Sequence, residues 1–115
     1  LVHCVAGKDR TGWAVAMAQH ALGVPRDAIM ADYVMTNSAS RLEERIAAEA
    51  FKDLPRYAAM DAETVRALWG VDEDYLATAL NAAEGRYGDL DTYLEAVLGI
   101  DAARRDALRA HYLEV

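Results

Sequence analysis

The sequence predicts a mostly α-helical chain with one short β-strand at its beginning, and that strand belongs to a larger α/β fold. Leu1 and Val2 form an apolar lead into Cys4, as at the end of a buried strand. From Arg10 onward, apolar residues recur at helical spacing. A parallel sheet requires several βα units, which this chain lacks. We therefore expect residues 1–115 to be the C-terminal portion of one larger domain, with the strand and a loop in residues 1–12 and the helical part in residues 13–115.

The first two predicted helices follow the loop directly. Residues 10–21 carry apolar side chains on nearly every face, which predicts a central and buried helix. Pro25 suits the first position of the next helix, whose core stripe contains Ile29 and Tyr33. Residues 37–38 are polar and are expected to break this second helix.

Capping residues predict where the remaining helices begin. Ser40 and Glu43 have the spacing of a capping box, and the helix that they start is expected to run through Phe51 as far as residues 54–55. Aspartates that precede apolar segments are expected to open four further helices. These aspartates are Asp61, Asp72, either Asp89 or Asp91, and Asp101.

The composition is that of a folded chain and excludes several classes of function. With 54% hydrophobic and 27% charged residues, the chain is too apolar for disorder, and no apolar run is long enough for a membrane span. The net charge of −7 opposes nucleic-acid binding. A single cysteine excludes an internal disulfide, and without a zinc motif we expect no metal and no cofactor. A cytoplasmic and a secreted location both stay open.

The most informative segment is the loop between His3 and Gly12, in which five residues separate Cys4 from Arg10. A loop of this length can curl until its backbone N–H groups point at one centre and form an anion nest. Arg10 adds a planar fork that matches two phosphate oxygens, and the following helix turns its N-terminal N–H groups to the same point. The segment therefore predicts a phosphate-binding site.

Cys4 is the candidate nucleophile of this site. The pKa of a free cysteine lies near 8.5, and it falls to roughly 3.5–7.5 at a helix N-terminus or beside Arg or His. A lone cysteine is more often a small buried apolar residue, but glycine, Arg10 and Thr11 at these offsets favour the catalytic interpretation. We expect an ionised Cys4 that needs no separate base.

The stretch from His3 to Gly12 resembles the active-site loop of the protein-tyrosine-phosphatase superfamily. It is most similar to a bacterial and fungal tyrosine-phosphatase-like group that acts on phosphoproteins and phosphoinositides. Similarity continues through the helical half, at residues 23–33, 71–76, 87–88, 93–94 and 98–99. The resemblance implies an α/β cysteine-phosphatase fold, with a parallel sheet and helices, and a phosphocysteine intermediate. The residues it assigns to phosphate binding are Val5, Ala6, Gly7, Lys8, Asp9 and Arg10.

Lys8 and Asp9 distinguish this loop from that of a plain tyrosine phosphatase. Lys8 is either a solvated charge or a substrate contact, which resembles the loop lysine of phosphoinositide phosphatases. Asp9 would repel a bound phosphate, so it either turns away to pair with Lys8 or stays protonated as a general acid. The sequence leaves this choice open, because other members of the superfamily take their acid from an upstream loop.

Two further side chains flank the nucleophile. Thr11 is expected to cap the helix, to hydrogen-bond the sulfur so that it leaves more easily after attack, or to do both. His3 is expected either to lie in the core or to orient the loop and stabilise the thiolate.

Residues 36–60 form the one helical segment to which a function is assigned. In related phosphatases a helical pair near the site acts as a lid, so this segment is a candidate lid. Its basic residues would offer positive charge to a polyanionic substrate. They are Arg41, Arg45, Lys52 and Arg56.

The function predicted from these features is a phosphomonoester hydrolase that removes phosphate from phosphotyrosine, and by resemblance from phosphoserine, phosphothreonine or phosphoinositides. A sulfur-transfer or arsenate-reducing enzyme is one alternative, but it usually has a shorter loop or further cysteines. A non-catalytic, oxyanion-binding helical fragment is the other. The expected partners are a phosphorylated protein or phosphoinositide and a chain that supplies the missing N-terminal sheet.

Overall fold

The computed structural model describes residues 1–114, which form eight α-helices and no β-strand. The prediction of a mostly helical chain is confirmed. None of the helices in these residues is both long and apolar enough to cross a membrane. The helices are α1 (Asp9–Ala21), α2 (Arg26–Val34), α3 (Thr36–Ala39), α4 (Leu42–Ala47), α5 (Ala62–Trp69), α6 (Glu73–Tyr87), α7 (Leu90–Leu98) and α8 (Ala102–Tyr112).

The predicted strand at the beginning of the chain is wrong for the described residues. Leu1 and Val2 are exposed, at 116% and 67% of their reference areas, and belong to no regular element. A strand exists only where its N–H and C=O groups pair with a neighbouring strand, and residues 1–114 contain no such neighbour. The larger α/β fold therefore stays a prediction.

A main core of eleven buried residues holds α1, α2, α6 and α7 together. Leu94 of α7 belongs to this core and is fully buried. α1 buries Ala16, Met17 and Ala21 in this core, whereas Val15 is 39% exposed. Thus α1 packs into the main core along one face and leaves its other face exposed, which differs from the predicted buried helix. α8 is fastened to α1 where Arg109 Nε donates a hydrogen bond of 3.1 Å to the backbone oxygen of Ala21.

The four later helices begin at the predicted aspartates. Each aspartate side chain accepts a hydrogen bond from a backbone N–H in the first turn, which satisfies a donor that the helix itself cannot pair. The pairs are Asp61 with Thr64, Asp72 with Asp74, Asp89 with Thr92 and Asp101 with Arg104. The alternative between Asp89 and Asp91 is settled in favour of Asp89, because Asp91 instead contacts His20 at 2.9 Å.

A small core lies beside the main core and consists of Leu42, Phe51 and Val65 with surrounding aromatic and apolar residues. Here the predicted helix from Ser40 through Phe51 is wrong, since α4 ends at Ala47. The N–H of Ala50 bonds the oxygen of Arg45, and Glu49, with φ 56°, bonds that of Ile46. This is a Schellman ending, and it turns the chain so that Phe51 packs on Trp69, with ring centroids 5.4 Å apart.

The junction between the two cores is built by Asn37. Its side-chain amide donates to the Val71 oxygen at 2.8 Å and accepts from the Val71 N–H at 2.9 Å. Asn37 lies inside α3, so the predicted break at residues 37–38 is wrong. The predicted capping box is absent as well. Ser40 Oγ donates to the backbone oxygen of Asn37, and Arg41, with φ 53°, occupies the position before α4.

Candidate active site

The loop from Cys4 to Lys8 leads directly into α1. Gly7 has φ 69°, a left-handed conformation that glycine adopts without strain. A Cβ there would meet no atom within 4 Å, so the backbone angle and not the space requires glycine. Lys8 occupies the N-cap position of α1, and its backbone oxygen accepts the first helical hydrogen bond, from Gly12 at 3.0 Å. The loop thus delivers its N–H groups at the N-terminus of α1.

The N–H groups of the loop and of the first turn of α1 act on the pKa of Cys4. The side chain of Thr11 is the largest cause that lowers the pKa of Cys4, followed by the backbone N–H of Thr11 and those of Gly7 and Lys8. Together they lower this pKa from 9.0 to about 6. At neutral pH Cys4 is therefore mostly a thiolate, the form in which cysteine acts as a nucleophile.

The prediction that Thr11 caps α1 is wrong, because Lys8 occupies the N-cap position and no side chain caps this helix. The backbone N–H of Thr11 lies in the first turn of α1, and its hydroxyl oxygen is buried. The hydroxyl meets no partner at regular hydrogen-bond geometry, although it lowers the pKa of Cys4. We interpret it as an imperfect contact with the sulfur, in which the hydroxyl dipole stabilises the negative charge at longer range.

Lys8 is the one charged residue that is buried within residues 1–114, and it is 7% exposed. Its amine lies 3.0 Å from a carboxylate oxygen of Asp9, whose own side chain is 62% exposed. The structure therefore excludes the interpretation of Lys8 as a solvated charge. Of the two alternatives for Asp9, it shows the pairing with Lys8.

The remaining predicted residues lie on the open side of the loop. Arg10, at the second position of α1, is exposed, as are His3, Val5 and Ala6. The phosphate-binding roles of Arg10, Val5 and Ala6 stay predictions. The predicted core position of His3 is wrong because His3 is exposed, and its role in orienting the loop and stabilising the thiolate stays a prediction. Within residues 1–114 no cluster of three or more His, Cys, Asp or Glu residues could hold a metal ion.

Sequence reasoning missed the contact that lies behind the loop. A cleft of about 120 Å³ between α1 and α2 is lined by Lys8, Thr11, Gly12 and Tyr33 among others. Burial raises the pKa of Tyr33, and the nearby carboxylate of Asp9 adds to this effect. The sequence pattern places Tyr33 in the core stripe of α2, but it does not predict that Tyr33 contacts the loop. The available signal was Gly12 itself, a glycine inside a helix, which usually marks close packing.

Three of the four basic residues of the candidate lid contact local partners. Arg41 pairs with Glu44, and Lys52 lies 2.7 Å from Glu49. Arg45 stacks over the ring of Phe51 at 4.8 Å and near that of Trp69 at 5.7 Å. Arg56 is exposed. The role of residues 36–60 as a lid stays a prediction.

Comparisons with known proteins identify the family. The profile of the tyrosine phosphatase family matches residues 1–114, so the chain belongs to this family. A protein of Cupriavidus necator, whose name assigns it provisionally as a tyrosine-protein phosphatase, is 36% identical over 115 residues, which cover 98% of this chain and 39% of that protein. The triple specificity protein phosphatase PtpB of Mycobacterium tuberculosis is 36% identical over 116 residues, which cover 95% of this chain and 42% of PtpB. The chain spans about two fifths of the length of these relatives.

Proposed function

We propose that this chain carries the nucleophile and phosphate loop of a phosphomonoester hydrolase that acts on phosphotyrosine. The observation that supports this most strongly is the loop from Cys4 to Lys8, which leads directly into the N-terminus of α1 with Arg10 in its first turn and lowers the pKa of Cys4 to about 6. A structural cysteine has no need of such an environment. Membership of the tyrosine phosphatase family adds to this support.

The proposed reaction has two steps. The thiolate of Cys4 attacks phosphorus, so that the S–P bond forms while the bond to the leaving oxygen breaks. The loop N–H groups and the guanidinium of Arg10 hold the equatorial phosphate oxygens. Water then attacks the phosphocysteine, phosphate departs, and the electron pair returns to the sulfur. The hydroxyl of Thr11 stabilises the thiolate as it re-forms.

The leaving oxygen needs a proton, and Asp9 is the proposed donor within this chain. The alternative donor is an aspartate in another part of the enzyme. The pairing of Asp9 with Lys8 at 3.0 Å favours an ionised Asp9 before substrate binds. Asp9 would therefore have to take up a proton when the phosphate arrives.

A wider substrate range is proposed on two grounds. Lys8 is the last residue of the loop, and once its partner Asp9 takes up a proton it would offer positive charge to a phosphoinositide or another multiply charged substrate. In addition, one relative is named a triple specificity protein phosphatase. Phosphoserine and phosphothreonine are included in the proposal on this second ground.

The decisive test is the variant Cys4→Ser, assayed with an aryl phosphate. We expect turnover to fall by more than about 1,000-fold, because a neutral hydroxyl is a far poorer nucleophile than a thiolate. Vanadate binding, measured by calorimetry, should persist because the nest is intact. Turnover of Cys4→Ser close to that of the unchanged chain would refute the phosphocysteine mechanism.

A second candidate function is that of an oxyanion-binding part without turnover of its own. It is favoured by the exposure of Leu1, Val2 and Val5, which leaves the approach to the loop unsupported in the described residues. The unchanged chain would then bind vanadate but fail to hydrolyse aryl phosphate. Activity that appears only when a polypeptide supplying the sheet is added would connect the two candidates.

A further inference from the structure

Gly12 is a glycine near the beginning of α1. It follows Thr11, and its N–H donates the hydrogen bond to Lys8 that closes the first turn, at 3.0 Å. Glycine destabilises the interior of a helix relative to alanine, since it loses more backbone freedom on folding. Its presence at this position therefore calls for a packing reason.

The packing reason is the ring of Tyr33 on α2. A Cβ built on Gly12 would lie 2.8 Å from Cε2 and 3.1 Å from Cδ2 of this ring, closer than side chains tolerate. Tyr33 is itself buried, at 8% exposure. The ring thus rests directly on the backbone of the first turns of α1.

The contact continues along both helices, so the ring is held in place. Ala16, one turn after Gly12, is buried in the main core together with Ile29 of α2. Two turns after Gly12, Gln19 donates a hydrogen bond of 2.9 Å to Asp32. Gly12 and Ala16 are small, so they allow α1 and α2 to approach closely, and the hydrogen bond between Gln19 and Asp32 joins the two helices one turn further along.

The same ring borders a cleft that residues of the candidate site also line. Tyr33 lines the cleft of about 120 Å³ that Lys8 and Thr11 also line. Thr11 is the residue that most strongly stabilises the Cys4 thiolate. A shift of the first turn of α1 would therefore move the groups that act on the sulfur.

We propose that Tyr33 is a positioning residue of the candidate active site, whose ring, seated on Gly12, sets the first turn of α1 and so directs Thr11 and the loop N–H groups at the sulfur of Cys4. Tyr33 touches no reacting atom in this arrangement. The consequence for turnover rests on the proposed function, whereas the effect on the sulfur does not.

The test measures the rate at which iodoacetamide alkylates Cys4 of the full chain between pH 4.5 and 9. The midpoint of this profile reports the thiolate directly and requires no turnover. We expect Gly12→Ala to raise the midpoint by about one pH unit, because the added Cβ drives the turn away from the ring. Tyr33→Leu should raise it by less, and Tyr33→Phe, which keeps the ring, should retain the low midpoint.

The double variant Gly12→Ala with Tyr33→Leu decides the proposal. Without the ring the Cβ has nothing to strike, so we expect the midpoint of the double variant to match that of Tyr33→Leu alone. Additive shifts, or a Gly12→Ala midpoint equal to that of the unchanged chain, would overturn the proposal.

Two controls separate positioning from general destabilisation and from failure of the proposed function. Val65→Ala weakens the small core, which contains no residue of α1 or α2, so its midpoint should stay low at temperatures where circular dichroism shows folded helices. An equal rise in Val65→Ala would overturn the proposal. If the unchanged chain proves inactive toward aryl phosphate while the midpoints follow the expected order, the proposed function fails and the positioning role of Tyr33 stands.

Discussion

The main core and the small core of this molecule are built in different ways. The main core has eleven buried residues, among which Leu94 has no exposure, and three of the helices in and around it begin at aspartate caps. The small core has only three buried residues and one aspartate-capped helix, α5, and turns lead the chain from α4 to α5. The candidate nucleophile depends on α1 and therefore on the main core. We therefore expect the two cores to differ in stability, and we expect damage to the main core, but not to the small core, to raise the pKa of Cys4.

The largest effects are expected when one buried side chain is truncated in each core, by Leu94→Ala in the main core and Phe51→Ala in the small core. We expect Leu94→Ala to lower the free energy of unfolding by about 2–5 kcal/mol and to raise the alkylation midpoint of Cys4, because α1 loses its support. Phe51→Ala should loosen only residues 42–69 and leave the midpoint near 6. Denaturant unfolding and hydrogen exchange would measure both. Global unfolding of Phe51→Ala would show that the two cores act as one unit.

A second variant tests how much the hydroxyl of Thr11 lowers the pKa of Cys4. Thr11→Val keeps the shape but removes the hydroxyl, so we expect the pKa of Cys4 to rise by about one pH unit from its value of about 6. Alkylation measured against pH checks this. An unchanged midpoint would assign the lowering to the backbone N–H groups alone.

The ionisation of Cys4 makes the stability of the chain depend on pH. The pKa of Cys4 is about 6 in the folded chain and 9.0 as an ordinary thiol, so the thiolate stabilises the fold fully above pH 9.0. This contribution is lost as the pH falls toward 6. We therefore expect unfolding curves to show stability that rises across this window through Cys4, and a flatter rise in Thr11→Val. Cys4→Ser, which does not titrate there, is the matched control.

A fourth prediction compares the start of a helix near each core. Asp101 caps α8, whereas Ser40 does not cap α4. We expect Asp101→Ala to cost about 1 kcal/mol in unfolding free energy and Asp101→Asn to cost much less, since asparagine keeps the acceptor. Ser40→Ala should change stability by less than about 0.5 kcal/mol. A large loss in Ser40→Ala would restore the capping role that the sequence predicted.

The smallest expected effect lies at the end of α4. Glu49 has φ 56°, which strains a residue with a Cβ, and its side chain makes an exposed ion pair with Lys52. We expect Glu49→Gly to stabilise the chain by about 0.5 kcal/mol. Glu44→Gly, inside α4, should destabilise it by about 1 kcal/mol. Shifts of the same sign in thermal unfolding would contradict the Schellman ending.

The candidate site was largely predictable because its signal is local in the chain. The spacing from Cys4 to Arg10 and the placement of Thr11 follow directly from the sequence. The lowering of the Cys4 pKa was expected, and its main causes, Thr11, Gly7 and Lys8, lie within seven residues of the sulfur. The burial of Lys8 was not predicted, since it depends on how α2 closes the cleft behind the loop.

The sequence by itself determined the helical character of the chain and the starts of α5, α6, α7 and α8. Each start depends on a side chain that bonds a backbone N–H two or three residues away, so no distant contact is needed. Only the tertiary structure decided where α4 ends, because Phe51 leaves the helix to pack on Trp69, eighteen residues further along. It likewise decided that the ring of Tyr33 rests on Gly12. Contacts between residues distant in the chain outweigh local helix propensity there, and no local pattern records them.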